Sequence, residues 1–362
     1  MRASRRIPLL TASGLMVPAL AVARAKAIAV GVTNILVAGG ATTDVPGDSD
    51  TTAAVECYTE KIVRSTLIPL SHSVTDHRGA FLSGYGIFFG GSYYDENHTY
   101  TVSASSEAYS ELLAHSNLTP LSVARGRMAS VSNNSHAIVA GGSSNAGIVA
   151  TVDAYSSSLV RSTATALSVA RYIATGAGNA SYLLICGGKN TSDLLVATVD
   201  AYSNTLTRST ATALAEARAE ASGARIGESI LVAGGVRGYG IPEKMILSNA
   251  VDIYDATLTH AQHSVGLSVA RRPAQGISGQ LHAVFGGGYK PLGTLEEQAC
   301  VDAFDATLTR HNPTNMRSAR DYVAGGANSN YMMLFGGEML DGSGYSNAVD
   351  VYNLNLEHFA TA

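Results

Sequence analysis

The sequence has no tryptophan and only three cysteines in 362 residues, and Asp, Glu, Lys and Arg make up 14% of it, against roughly 25% in soluble proteins at large. Each scarcity excludes something. Cys57, Cys186 and Cys300 stand far apart in apolar runs without C-x-x-C spacing, so a disulfide framework and a zinc site are excluded and buried free thiols are expected. A net charge of −4 with no basic tract leaves nothing to track a phosphate backbone, so nucleic acid is not an expected partner. No run of about twenty apolar residues occurs, so no membrane-spanning helix is expected. A G-x-x-x-x-G-K-[ST] loop, an H-E-x-x-H helix and a G-x-S-x-G elbow are also missing, which removes common signatures of phosphate binding, zinc hydrolysis and serine nucleophiles.

What the chain has in quantity is repetition. "VDAYSSSLVRSTATALSVAR" at 152–171 returns as "VDAYSNTLTRSTATALAEAR" at 199–218. The same frame puts an aromatic at Tyr58, Tyr109, Tyr155, Tyr202, Tyr254, Phe304 and Tyr352. Two residues before each is an acid (Glu56, Glu107, Asp153, Asp200, Asp252, Asp302, Asp350), and six after each a base (Arg64, His115, Arg161, Arg208, His260, Arg310, His358). Ahead of each copy an apolar run closes on a glycine pair, beginning at Gly39, Gly90, Gly141, Gly187, Gly234, Gly286 and Gly336. A period of about fifty residues marks a repeat architecture. Within a repeat, four β-rich runs alternate with turn residues, as in "RYIATGAG", "SYLLICGG", "ATVDAY" and "LTRSTAT"; this pattern predicts a four-stranded antiparallel meander. Such a sheet cannot bury both faces alone, and copies stacked around an axis can.

The glycine pair followed by acid-x-Tyr on the next strand resembles the Kelch repeat, and the resemblance covers nearly the whole chain. It implies an all-β fold, a seven-bladed β-propeller of four-stranded antiparallel blades, as one domain over residues 19–362 behind an N-terminal extension, 1–18. Kelch repeats carry a Trp on the fourth strand; here the base stands at about that place. The acid and Tyr of "VDAY" share a strand face, so the base from the neighbouring strand is expected over the phenol and within reach of the acid, a cation–π contact of about 0.5–2 kcal/mol. Asp153, Tyr155, Arg161, Asp200, Tyr202, Arg208, Asp252, Tyr254 and His260 are accordingly read as structural repeat positions, because no single reaction needs seven acid–base pairs. A second basic series, Arg24, Arg125, Arg171, Arg218, Arg271 and Arg320, opens the first strands, while repeat two offers "VTDHRG" with Arg78 out of register. These arginines are expected either to bond carbonyls of a neighbouring blade or to ring the channel as an anion site.

The N-terminus "MRASRRIPLLTASGLMVPALAVARAKA" has the outline of a secretory signal. Yet "ALAVARAKAIAVGVTNILVAGG" from Ala19 falls into register with "ALSVARYIATGAGNASYLLICGG" from Ala166, so cleavage after Ala25 or Ala27 would cut into repeat one; the segment is expected to stay.

Among Kelch-like enzymes, copper oxidases need converging His and Tyr ligands, whereas His72, His77, His98, His136, His263, His282 and His311 share no repeat position. No catalytic residue, metal or cofactor is expected. The resemblance to Kelch-like proteins of bacteria and their phages points to non-enzymatic recognition of a glycan or protein, outside the cell or on a virion; the alternatives are a structural component of a larger assembly and a sugar mutarotase. Loop length locates the expected site. Between the second glycine and the residue ahead of each acid, repeats one to seven have 14, 14, 9, 10, 15, 13 and 11 residues, which predicts a crescent wall open over blades three and four. Into it the sequence puts Tyr93, Tyr94, Asp95, Glu96, His98 and Tyr100 from loop two, Arg237 and Tyr239 from loop five, Tyr289 and Lys290 from loop six, and Tyr345 from loop seven.

Overall fold

The structure, a computed structural model, describes residues 17–24, 26–31, 34–42, 51–94, 99–240, 244–273, 275–291 and 298–360. All the strands fall into antiparallel sheets, and seven of these, among the described residues, have four strands. Sheet four shows the plan: Thr175–Gly178, Tyr182–Cys186, Val199–Ser203 and Arg208–Ala211 lie side by side in chain order.

The spacing of six between aromatic and base is a register. Tyr58 faces Arg64 across a strand pair, and likewise Tyr109 faces His115, Tyr155 Arg161, Tyr202 Arg208, Tyr254 His260, Phe304 Arg310 and Tyr352 His358. The turn between them places an aliphatic residue in the left-handed region, for instance Leu206 at φ 59° and Leu258 at φ 64°. A non-glycine residue there costs of order 1–3 kcal/mol, offset by packing of the same side chain on the core beneath.

First strands follow one another in a closed circuit. Ile28–Gly31 touches Arg78–Leu82, then come Ala129–Ser132, Thr175–Gly178, Ser222–Ile226, Ile277–Ser278 and Ala324–Ala327, and the last touches Ile28–Gly31 again. The apolar core is distributed accordingly, in clusters that each lie between consecutive sheets. One joins Leu184, Val199 and Leu214 of sheet four to Ile230 and Tyr254 of sheet five, and another closes the circuit with Ile35 and Tyr58 of sheet one against Met333 and Phe335 of sheet seven. Cys57, Cys186 and Cys300 are buried, and among the described residues no disulfide joins them.

The glycine pairs let backbone meet backbone between sheets. Gly187 and Gly188 have φ of 60° and 103°, Gly188 N donates to Arg218 O at 2.9 Å, and a Cβ on Gly187 would stand 2.2 Å from that same oxygen. In sheet six the pair doing this is Gly287–Gly288, one residue later than the sequence reading placed it, because Gly286 ends the strand. Beyond the pairs the chain forms small hairpins of its own, such as Ser92–Tyr94 with Tyr100–Val102 and Val236–Gly240 with Lys244–Leu247. All of them leave the same end of the circuit, at the start of the first strands.

Candidate functional site

The repeated acid is fully buried and holds the incoming connector. Asp200 accepts from Arg171 at 2.8 Å, from Arg208 at 2.8 Å and from the Ser168 backbone and hydroxyl, while Tyr202 Oη donates to Thr165 O at 2.8 Å. Burial opposes the charge on Asp200, but Arg171, Arg208 and Ser168 outweigh it and hold the carboxyl below its ordinary range. The arginines of the second series pair with the acid of their own sheet: Arg24 with Glu56 at 3.0 Å, Arg125 with Asp153 at 2.8 Å, Arg218 with Asp252 at 2.5 Å, Arg271 with Asp302 at 2.7 Å, and Arg320 with Asp350. Each also donates to a carbonyl of its own sheet, such as Ile185 O or Val232 O. Among the described residues these six arginines therefore form no anion site, and their side chains do not bond the neighbouring sheet; the contact to the neighbour runs through their backbone carbonyls. The fully buried carboxylates explain why, since a bound guanidinium neutralises them at no distance.

Where the base is histidine, its ring packs against the tyrosine ring. His115, His260 and His358 lie 4.9, 4.8 and 4.8 Å from their tyrosine rings, whereas Arg161 and Arg208 turn their guanidinium to the acid. Among the described residues, cations over aromatic rings occur instead at the hairpin end of the circuit.

That end carries a ring of non-glycine residues with left-handed backbone: Lys26 (φ 55°), Asp76 (52°), Arg127 (55°), Ile173 (47°), Glu220 (52°) and Tyr322 (50°). Each sits two residues after a buried arginine, or after Val74, which takes that place in sheet two. Backbone bonds link the ring around the channel: Arg127 N to Asp76 O, Ile173 N to Arg127 O, Glu220 N to Ile173 O and Lys26 N to Tyr322 O. The chain turns left-handed here so that each first strand can enter the channel wall, and the ring side chains are thereby gathered about its mouth.

The gathered groups are charged and aromatic. Arg127 Nε meets Asp76 at 3.2 Å, and although burial works against its charge, Asp76 together with the nearby Tyr100 and Tyr172 phenols raises its pKa. Arg272 reaches Glu220 at 2.6 Å and Asp321, and its guanidinium lies 4.4 Å from the Tyr322 ring and 5.6 Å from the Tyr289 ring. Lys26 approaches Tyr322 at 4.9 Å. Farther out, Tyr172 Oη donates to Asp193 at 2.5 Å, Lys189 Nζ meets the same carboxylate at 3.0 Å, and Lys189 lies 4.3 Å from the Tyr239 ring. Guanidinium and ammonium groups held by carboxylates over ring faces make a rigid, amphipathic surface.

Of the residues expected in the wall, the structure brings Tyr100, Tyr239 and Tyr289 to these charges. Tyr93 packs on His72 with ring centroids 5.5 Å apart, and Arg237 is tied to its own hairpin through Leu247 O at 3.2 Å. Lys290, after the glycine pair of sheet six, and Tyr345, in the hairpin of sheet seven, are half-buried. Tyr94 pairs with Tyr100 along the hairpin backbone; its side chain, with Asp95, Glu96 and His98, lies outside the described residues. Tyr172, Lys189 and Asp193 belong to sheet four, and Lys189 reaches across to Tyr239 of sheet five. Those three, with Asp76, Arg127, Glu220, Arg272, Asp321 and Tyr322, escaped the sequence reading. A signal was present: the position two after each of the six buried arginines reads Lys, Arg, Ile, Glu, Pro and Tyr inside a frame that otherwise repeats. Among the described residues no three His, Cys, Asp or Glu side chains group as a metal site would require.

Set against solved structures, the chain is similar over 96% of its length to the structure of YjhT, of which 99% is covered, with a TM-score of 0.58. The fold is β-propeller-like. Sequence identity to YjhT is 11%, so the likeness is one of fold alone. No family model and no curated protein matches the chain.

Proposed function

We propose that the seven sheets are the blades of a Kelch-type propeller and that its hairpin face recognises a glycan or a protein without doing chemistry on it. The observation carrying this reading is the convergence of Tyr100, Tyr172, Tyr239, Tyr289 and Tyr322 on the cations Arg127, Lys189 and Arg272 around the channel mouth. Tyrosine offers flat contact area with a polar tip, which suits the faces of sugar rings and the surfaces of proteins. The charged groups are already committed to one another, which favours holding a shape over moving protons. A glycan array probed with the purified protein tests the glycan arm, and a pull-down with proteins of the same source, competed by excess untagged chain, tests the protein arm. Turnover of a free sugar by the protein, abolished by substitutions at the mouth, would overturn the reading.

A further inference from the structure

We infer that Gln275 straps the ring shut at its one joint without a connector and thereby positions Arg272, Tyr322 and Lys26 at the mouth; the inference rests on the reading of that mouth as the recognition face. Sheets seven and one are the last and the first along the chain, so their first strands, Ala324–Ala327 and Ile28–Gly31, meet with no connector between them. Gln275 stands just ahead of the first strand of sheet six, yet its side-chain amide reaches past sheet seven to sheet one. Nε2 donates to Ala29 O at 2.9 Å, and Oε1 accepts from Ala29 N at 3.4 Å and from Gly325 N at 3.3 Å. The partners fix the orientation of the amide, since the reverse would set its NH2 against two backbone N–H groups. Gln275 N also donates to Val323 O at 3.3 Å. One residue thus holds the backbones of three consecutive sheets together.

The repeat frame shows why this happens at one joint. The position four after each buried arginine, or after Val74 in sheet two, reads Ile28, Arg78, Ala129, Thr175, Ser222, Gln275 and Ala324. Gln275 is the single carboxamide of the series, and the next sheet offers it Ala324 followed by Gly325 and Gly326. A Cβ on Gly325 would stand 2.6 Å from Gln275 O, and one on Gly326 2.7 Å from Ile35 Cγ2, so sheet seven is bare where sheets six and one close over it. Thr175, at the same position in sheet four, reaches only the next sheet, donating to Ala221 O at 2.8 Å. The strap also lies directly behind the mouth. Arg272, Tyr322 and Lys26 stand three residues ahead of Gln275, Gly325 and Ala29 respectively. Cations approach the Tyr322 ring from both neighbouring sheets, Arg272 at 4.4 Å and Lys26 at 4.9 Å. Their spacing about that ring therefore depends on the joint staying shut.

Gln275→Met keeps the length of the side chain and removes its three amide bonds. Hydrogen exchange read by mass spectrometry is expected to quicken by about tenfold or more in Ile28–Gly31 and Ala324–Ala327, and to stay unchanged in Val152–Ser156 and Val199–Ser203 of sheets three and four. Thr175→Val is the control: a connector already spans its junction, so exchange there should not change. Because the chain has no tryptophan, Tyr322→Trp puts a single reporter at the mouth, and adding Gln275→Met is expected to raise its quenching by acrylamide about twofold or more. Should Gln275→Met not fold, it is placed in a circular permutant whose ends are joined across sheets seven and one, where a connector now takes over the strap's duty and the substitution is expected to be tolerated. The inference falls if exchange in Ile28–Gly31 is unchanged, if it rises equally in sheets three and four, if the reporter's quenching does not move, or if the permutant also fails to fold with Gln275→Met. None of these readouts needs a ligand, so failure of the glycan array and the pull-down with the strap upheld would overturn the recognition reading alone.

Discussion

The Arg171 guanidinium and the Asp200 carboxylate meet at 2.8 Å with neither side chain exposed to solvent at all. The pair ties the start of sheet four's first strand to its third, and Arg208 and Ser168 complete the coordination of the same carboxylate. Removing one partner strands the other's charge in the core, which costs about 3–5 kcal/mol.

Asp200→Ala is therefore expected to lower stability to denaturant by about that amount, while ligand binding by the folded fraction stays as it was. Replacing Arg171 and Asp200 together by apolar residues is expected to cost less than Asp200→Ala alone. Urea unfolding of the three variants checks both statements, and a loss of binding without a loss of stability in Asp200→Ala would count against a structural role.

His77 makes stability fall on mild acidification. It is buried, and burial together with the adjacent Arg78 cation outweighs the opposing influence of the Ala38 backbone and Asp76 and holds its pKa down at about 3. A histidine depressed in the folded state contributes no penalty above its unfolded value of roughly 6.5, and below that the unfolded chain takes up the proton first. The expected slope is about 1.4 kcal/mol per pH unit between roughly pH 6 and pH 4, with His136 and His282, half-buried and also lowered, adding in the same direction to a smaller degree. Asp200 and Asp350, whose pKa values are lowered, keep their contribution above the unfolded carboxylate value of roughly 3.9 and lose it only as pH falls further. Stability against pH for His77→Phe should be markedly flatter above pH 4; an unchanged slope would show that His77 is not its source.

Tyr239, which is exposed and lies over Lys189, is expected to matter for recognition and not for folding. Tyr239→Ala should weaken the ligand found on the array or in the pull-down at least tenfold, about 1.4 kcal/mol, without moving the melting temperature. Leu112→Ala, at a highly exposed position on a strand-three to strand-four turn, serves as the control and should change neither.

Deleting residues 1–25 is expected to destabilise the protein severely. Leu20 and Arg24 are buried, Leu20 N donates to Asn347 O at 2.9 Å, and Gly337 N donates to Arg24 O at 2.7 Å. A truncated chain should aggregate or melt well below the longer one, and an intact mass beginning at residue 26 in a well-folded sample would contradict this.

The frame of the fold was legible because it is written as a period. Aromatic and base six apart are cross-strand partners, and the glycine pairs mark where backbones touch, so spacing alone carried both. What spacing could not show is which of two acids' neighbours takes the charge: Arg161 and Arg171 look alike in the sequence, yet one comes across a strand pair and the other from the start of a different strand, and only three-dimensional closure reveals that both converge on repeat acids. The candidate site was half legible. Tyr239 in its hairpin and Tyr289 after its glycine pair lie in long connections and drew attention, whereas Tyr322 and Glu220 stand in the repeat frame itself, where the backbone is left-handed.

Each of the seven sheets is built from one uninterrupted stretch of chain, and that leaves a mechanical consequence at the junction of sheet seven with sheet one. Every other junction is crossed by a peptide connector; this one is held by bonds such as Gly337 N to Arg24 O and Lys26 N to Tyr322 O and by the Tyr58 ring against Phe335 at 5.0 Å. The molecule behaves as a split washer. Under heat or tension it opens first at the cut, and hydrogen exchange should be fastest along that edge. A circular permutant that joins the present ends and cuts the chain between sheets three and four would carry the weak edge with it.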